Sequence, residues 1–219
     1  MDKLLYEMLK DKKVFIFDFD GTLTDTERFN YLVHKKNLEK YGVDLTEEDY
    51  KKYIGRPAPE YAKIIEEITG EKVDFGKLVD EYVAGFMELT KNELIPLFDY
   101  AKEIFETFPT KEYYILSNQH MDIIKMCLNK WGVNNLFKDV VSLINSDLGK
   151  SFFYQNVCEL PLGAGYDEKS LDLKQSECVV FEDGQKNIDS ARSQGIFTVG
   201  ITHKYASPSA DFIIDCTNQ

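Results

Sequence analysis

Short apolar runs recur along this chain at Val14–Phe17, Tyr113–Leu116, Val140–Ile144, Cys178–Phe181 and Phe197–Ile201, with a weaker one at Phe212–Ile214. Between most of them the apolar residues repeat at helical spacing, as Ile123, Met126, Cys127 and Trp131 do. Strand-length runs alternating with helices predict an α/β fold, a parallel sheet with helices on both faces. The long interval between the first two runs breaks the alternation. Within it Phe75, Leu78, Val79, Tyr82, Val83, Phe86 and Met87 fall on one face at a 3.6-residue period. Thr46 with Asp49 reads as a helix start, Pro57 or Pro59 suits a first turn, and Gly42, Gly55 and Gly70 suit helix ends. Residues 28–93 are therefore expected to form an all-helical insert, with 1–27 and 94–219 making the sheet.

The chain of 219 residues can form one large domain with such an insert. Its net charge of −12, without a basic patch, argues against nucleic acid and anionic membrane as partners. An anionic ligand would need a local cation. The start, MDKLLYEMLKDKK, alternates charged and apolar residues and does not read as a signal peptide. No apolar run approaches the roughly 20 residues that span a bilayer. Cys127, Cys158, Cys178 and Cys216 are far apart with no CxxC pairing, so free thiols in a reducing cytoplasm are expected.

The run Val14–Phe17 ends in Asp18 and Asp20, with Gly21 next. Unpaired carboxylates at the end of a buried strand are costly, so a positive partner is expected there, and a divalent cation is the economical one. In open α/β sheets ligands bind beyond the carboxyl ends of the strands, and the groups at those ends are consistent in their chemistry. The second run ends in Ser117-Asn118, a loop after the third carries Lys150, and the fourth ends in Glu182-Asp183. A carboxylate such as Asp18 can attack phosphorus and form an aspartyl-phosphate. Asp20 could donate a proton to the leaving oxygen and later activate water. Asp18, Asp183 and a backbone carbonyl could ligate Mg²⁺, Ser117 could hold a phosphoryl oxygen, and Lys150 could balance charge.

DFDGTLTDTE resembles the first motif of the haloacid dehalogenase superfamily in its phosphotransferase branch. The order of a Ser at a strand end, a Lys, and the acidic pair in VVFEDGQKNIDSARSQGI resembles that family's later motifs. The resemblance implies a Rossmann-like catalytic core and a helical cap that closes over substrate. It implies Asp18 as nucleophile, Asp20 as acid and base, and Ser117 and Asn118 on the phosphate. It implies Lys150 as the structural cation, with Lys138 as the alternative. Asp18, Asp20 through its carbonyl, Asp183 and the supporting Glu182 would form the Mg²⁺ site. Lys52 and Arg56, flanking Gly55 in the insert, would contact substrate. The chain departs from the family where Gly184 and Asn187 stand in the fourth motif and where Ser151 rather than Pro follows Lys150.

Each residue also has a plainer reading. Asp-Gly after an apolar run is most often a turn, Ser117 and Asp183 could cap helices, and Lys150 could be a solvated lysine. A surface or capping role is favoured for His120. The functional reading rests on their joint placement. It points to a Mg²⁺-dependent phosphatase of a small phosphorylated metabolite. The alternatives are a sugar phosphomutase of the β-phosphoglucomutase type and a silent ligand-binding relative. Asp20 argues against a dehalogenase. A signalling receiver domain lacks the insert and carries its acceptor Asp after a middle strand.

Overall fold

The computed structural model describes residues 1–51, 58–70, 72–91, 93, 95–144, 146, 149–156 and 174–218. Among them six strands form one parallel sheet: β1 (Val14–Phe17), β2 (Glu112–Ser117), β3 (Phe137–Ser142), β4 (Cys178–Glu182), β5 (Phe197–Thr202) and β6 (Phe212–Asp215), in the order β3-β2-β1-β4-β5-β6. The central β1 is buried at every residue, which accounts for its unbroken apolar run. Its side chains alternate between two cores. Phe15 and Phe17 face α1 (Lys3–Leu9), α6 (Asp99–Thr107) and α7 (Met121–Trp131), through Leu5, Ile104 and Ile123. Val14 and Ile16 face α8 (Lys150–Gln155) and α9 (Gln185–Ser193), through Tyr154 and Ala191. Helices thus cover both faces.

The strand β3 begins at Phe137 rather than Val140. It is an edge strand whose polar Lys138 and Asp139 weaken the apolar signal. The expected residues Leu143 and Ile144 lie just past its end and are still buried. The helix α1, which the charged N-terminal sequence concealed, is capped by Asp2. Its carboxylate accepts from the N–H groups of Leu4 and Leu5, and Leu5 and Leu9 turn inward.

Between β1 and β2 lie α2 (Glu27–Glu39), α3 (Glu47–Lys51), α4 (Ala58–Thr69) and α5 (Phe75–Leu89). Thr46 Oγ accepts from the Asp49 N–H at 3.1 Å and starts α3. These helices share a small core of Leu38, Leu45, Tyr50, Ala62, Ile65 and Leu78. Phe29 and Val33 of α2 and Tyr82 and Phe86 of α5 instead join the large core beside the sheet. Gly55 and Pro57 lie outside the described residues. Cys127, Cys178 and Cys216 are buried cysteines, and Cys158 is outside the described residues. Among the described residues no helix is long and apolar enough to cross a membrane.

Candidate active site

The site starts where β1 runs out. The Asp18 N–H still pairs with the Phe181 carbonyl of β4 at 3.0 Å, and then the chain turns. Gly21 adopts φ +68°, and the Leu23 N–H closes back on the Phe19 carbonyl at 3.0 Å. A side chain at Gly21 would collide with Asp183 Oδ2 and stand 2.7 Å from His203 Nε2. The loop is fixed from behind, since the Tyr100 hydroxyl donates to the Thr22 carbonyl at 2.6 Å and the Thr24 hydroxyl to the Pro96 carbonyl at 2.6 Å. Asp18 and Asp20 are therefore presented on a rigid turn.

Lys150, at the first position of α8, is buried and lies 2.8 Å from both Asp18 Oδ1 and Glu182 Oε1. Burial, the largest single influence, opposes its charge. The two carboxylates together outweigh it and hold the ammonium above the usual lysine range. Burial lifts Glu182 well above the usual carboxylate range; the Asp18 charge adds to this and Lys150 opposes it. Glu182 is held further by Asn187, whose amide donates to Oε1. Lys138, the alternative cation, is exposed on β3.

Ligand oxygens of Asp18, Glu182 and Asp183 all lie within 4.8 Å of one another. Three carboxylates against one ammonium leave an excess of negative charge, and a side chain at Gly21 would crowd this space. An all-oxygen, net-negative cluster fits a hard divalent cation. Asp183 Oδ2 also meets His203 Nε2 at 3.0 Å. The Tyr205 N–H donates to His203 Nδ1 at 3.4 Å, so Nε2 carries the proton and donates to Asp183.

The side chain of Asp20 points elsewhere. Its Oδ1 accepts from the Thr26 hydroxyl, and both its oxygens accept from Gln119 Nε2, at 3.0 and 3.2 Å. Burial is the main reason that its carboxyl is pushed up to about 6, and the neighbouring Asp18 charge adds. Hydrogen bonds from Thr26, Gln119 and Asn30 pull it back.

Above these groups opens a cavity of about 590 Å³. Asp18, Asp20, Ser117, Asn118, Lys150 and Asp183 all line it. Its far wall comes from the helices between β1 and β2, including Glu27, Asn30, His34, Tyr50 and Tyr82. Glu27 is buried, accepts from the Tyr50 hydroxyl at 2.6 Å, and is raised well above the usual carboxylate range by burial and then by Asp20. Lys52 and Arg56 lie outside the described residues. His120 caps α7, its Nδ1 accepting from the Asp122 N–H at 3.3 Å.

Sequence reasoning did not single out Gln119, Glu27, Asn30, Tyr82 or His203. His203 directly follows β5, so extending the survey of strand ends to the fifth strand finds it. Gln119 stands beside Ser117-Asn118. Glu27 closes the DFDGTLTDTE motif and Tyr82 lies on the apolar helical face, but neither position by itself points to the site, and Asn30 carries no local signature.

Residues 15–201 match the family of haloacid dehalogenase-like hydrolases. Validoxylamine A 7'-phosphate phosphatase of Streptomyces hygroscopicus is 27% identical over 195 residues, covering 87% of this chain and 85% of its own. A phosphorylated carbohydrates phosphatase of Thermotoga maritima is 27% identical over 197 residues, covering 86% and 84%. The crystal structure of β-phosphoglucomutase from Clostridium difficile superposes with a TM-score of 0.74 at 20% identity, covering 94% of this chain and 92% of that one, and so shares the fold. This chain belongs to the haloacid dehalogenase-like hydrolases.

Proposed function

We propose that this enzyme is a Mg²⁺-dependent phosphatase that moves the phosphoryl group of a small phosphorylated metabolite first to Asp18 and then to water. The observation that carries the reading is the contrast between two carboxylates on one turn. Asp18 sits against the ammonium of Lys150, whereas Asp20 is buried and pushed up to about 6. One carboxylate suited to attack beside one able to hold a proton is the division of labour that such a reaction needs.

In this reading Asp18 attacks phosphorus while Asp20 protonates the departing alkoxide oxygen; Asp20 then takes a proton from the water that cleaves the acyl phosphate. Ser117 and neighbouring backbone N–H groups hold phosphoryl oxygens, and Lys150 balances the charge that develops on them. Asp18, Asp183 and the Asp20 carbonyl would hold the ion, with Glu182 behind them. When bound, Mg²⁺ supplies the positive charge that lets an anionic nucleophile meet an anionic ester. Residues 28–93 act as the cap whose inner wall touches the rest of the substrate. The relatives named as phosphatases of validoxylamine A 7'-phosphate and of phosphorylated carbohydrates make sugar phosphates the first candidates.

Phosphate release from a panel of sugar phosphates and phosphoglycolate, with Mg²⁺ or with EDTA, tests the reading. Release should require the metal and vanish in Asp18→Asn, because the amide is a poor nucleophile; retained turnover would overturn the assignment. Asp20→Asn should lower turnover by about 10²–10⁴-fold while metal affinity changes little. A collapse of metal affinity would instead make the Asp20 carboxylate a ligand. Interconversion of a sugar phosphate without net release would favour the phosphomutase.

A further inference from the structure

Gln119 is buried, 4% exposed, and every hydrogen-bonding atom of its side chain is committed. Its Oε1 accepts from the His120 N–H at 2.8 Å. That bond fixes which way the amide faces, since turning it over would set its NH₂ against a backbone donor. Nε2 is left to donate to Asp20, at 3.0 and 3.2 Å, and to the Tyr82 hydroxyl at 2.9 Å. Tyr82 in turn donates to Asn30 Oδ1 at 2.6 Å. The Gln119 backbone is held as well: its N–H donates to Ser117 Oγ at 3.1 Å, and its carbonyl accepts from the Ser142 hydroxyl at 2.6 Å. Asn30 and Tyr82 lie on α2 and α5, whereas Gln119 follows β2. The chain of bonds thus runs from the inserted helices, through Gln119, to Asp20.

We infer that Gln119 is a positioning residue for Asp20, and that through Tyr82 it ties the aim of Asp20 to the seating of the inserted helices. Thr26 from its own turn and Asn30 from α2 also bond the Asp20 carboxyl, whereas Gln119 Nε2 reaches both of its oxygens at once. The fork to Gln119 sets the plane in which Asp20 presents its proton. With the inserted helices seated, Tyr82 holds Gln119 in that plane; with them displaced, Gln119 loses one of its two side-chain donor contacts. Proton delivery then accompanies enclosure of the substrate, which limits wasted hydrolysis at an open site.

This inference rests on the phosphatase reading, in which Asp20 protonates the leaving oxygen. An ester whose alcohol departs poorly needs that proton, whereas p-nitrophenyl phosphate does not. Gln119→Met, nearly isosteric, removes the fork; Tyr82→Phe keeps the ring and removes only the tie. Gln119→Met should lower kcat/KM for an alkyl phosphate by about 10²-fold but for p-nitrophenyl phosphate by no more than about threefold. Tyr82→Phe should show the same selectivity to a smaller extent. Equal losses for the two esters in both variants, or no loss in either, would overturn the inference while the wild type stays active. A wild type inert toward both esters would overturn the phosphatase reading and this inference with it.

Discussion

Lys150 stands in the middle of a cluster that would repel itself without it. Its ammonium touches Asp18 and Glu182 at 2.8 Å each, and Glu182 is wholly buried. Replacing such a cation leaves carboxylates facing each other in a poorly hydrated space, a loss worth about 3–5 kcal/mol where a buried pair is broken. Lys150→Met should therefore reduce the unfolding free energy by about that amount, read from urea denaturation without added metal. A change within about 0.5 kcal/mol would mean that the cluster is solvated or neutral. The position of Lys150 was visible in the sequence only as a lysine after the third apolar run. Its neighbours Ser151 and Phe152 gave no sign that α8 begins with it and buries it. Asp18 was legible because an apolar strand that ends in a charge carries its own contradiction. Gln119 was not, since an amide acts here through partners far along the chain, Tyr82 and Asp20.

Elements set these residues in place, and the turn after β1 is the clearest case. Gly21 combines φ +68° with a close approach to Asp183 and His203. Gly21→Ala should cost about 1–2 kcal/mol for the left-handed backbone alone. Because Asp183 must also move, metal affinity measured by calorimetry should fall with it; unchanged affinity would show that Asp183 has no part in holding the ion. At the junction of α2 and α5, His34 stacks on Tyr82 at 5.0 Å and is pushed down to about 4 by burial. The unfolded chain takes up this proton near pH 6.5 and the folded one only near 4, so the contribution of His34 to stability is complete above about 6.5 and is lost as pH falls towards 4. His34→Gln should flatten the fall in melting temperature over that window; an unaltered slope would contradict it. The strand runs were legible because burial on both faces leaves no room for polar residues. The edge strand β3 was blurred because none of its residues is fully buried, and the capped α1 because most of its residues face water.

The whole molecule brings two surfaces to one cavity. The sheet presents Asp18, Ser117 and Asp183 at the ends of its strands, and the inserted helices supply the opposite wall. Glu47 of α3 reaches across to Lys204 at 2.5 Å and to the Tyr205 hydroxyl at 2.7 Å, next to His203. Exposed contacts of this kind are worth little in stability. The buried connections to Asp20 run through Tyr82 and Gln119 and, from α2, through Asn30. The architecture was legible from the spacing of apolar runs, and α5 from the helical period of Phe75 to Met87. How the two meet was not, because it depends on buried hydrogen bonds between residues distant in sequence. The central claim concerns one atom group, the Asp18 carboxylate, and can be tested on it directly. The enzyme, turning over a substrate found in the panel, is quenched in acid and reduced with borohydride, which converts a phosphorylated carboxylate to an alcohol. Mass spectrometry of the peptides should then locate the reduced site at Asp18 alone. Reduction at Asp20, Glu182 or Asp183, or none at any carboxylate during active turnover, would contradict transfer through Asp18.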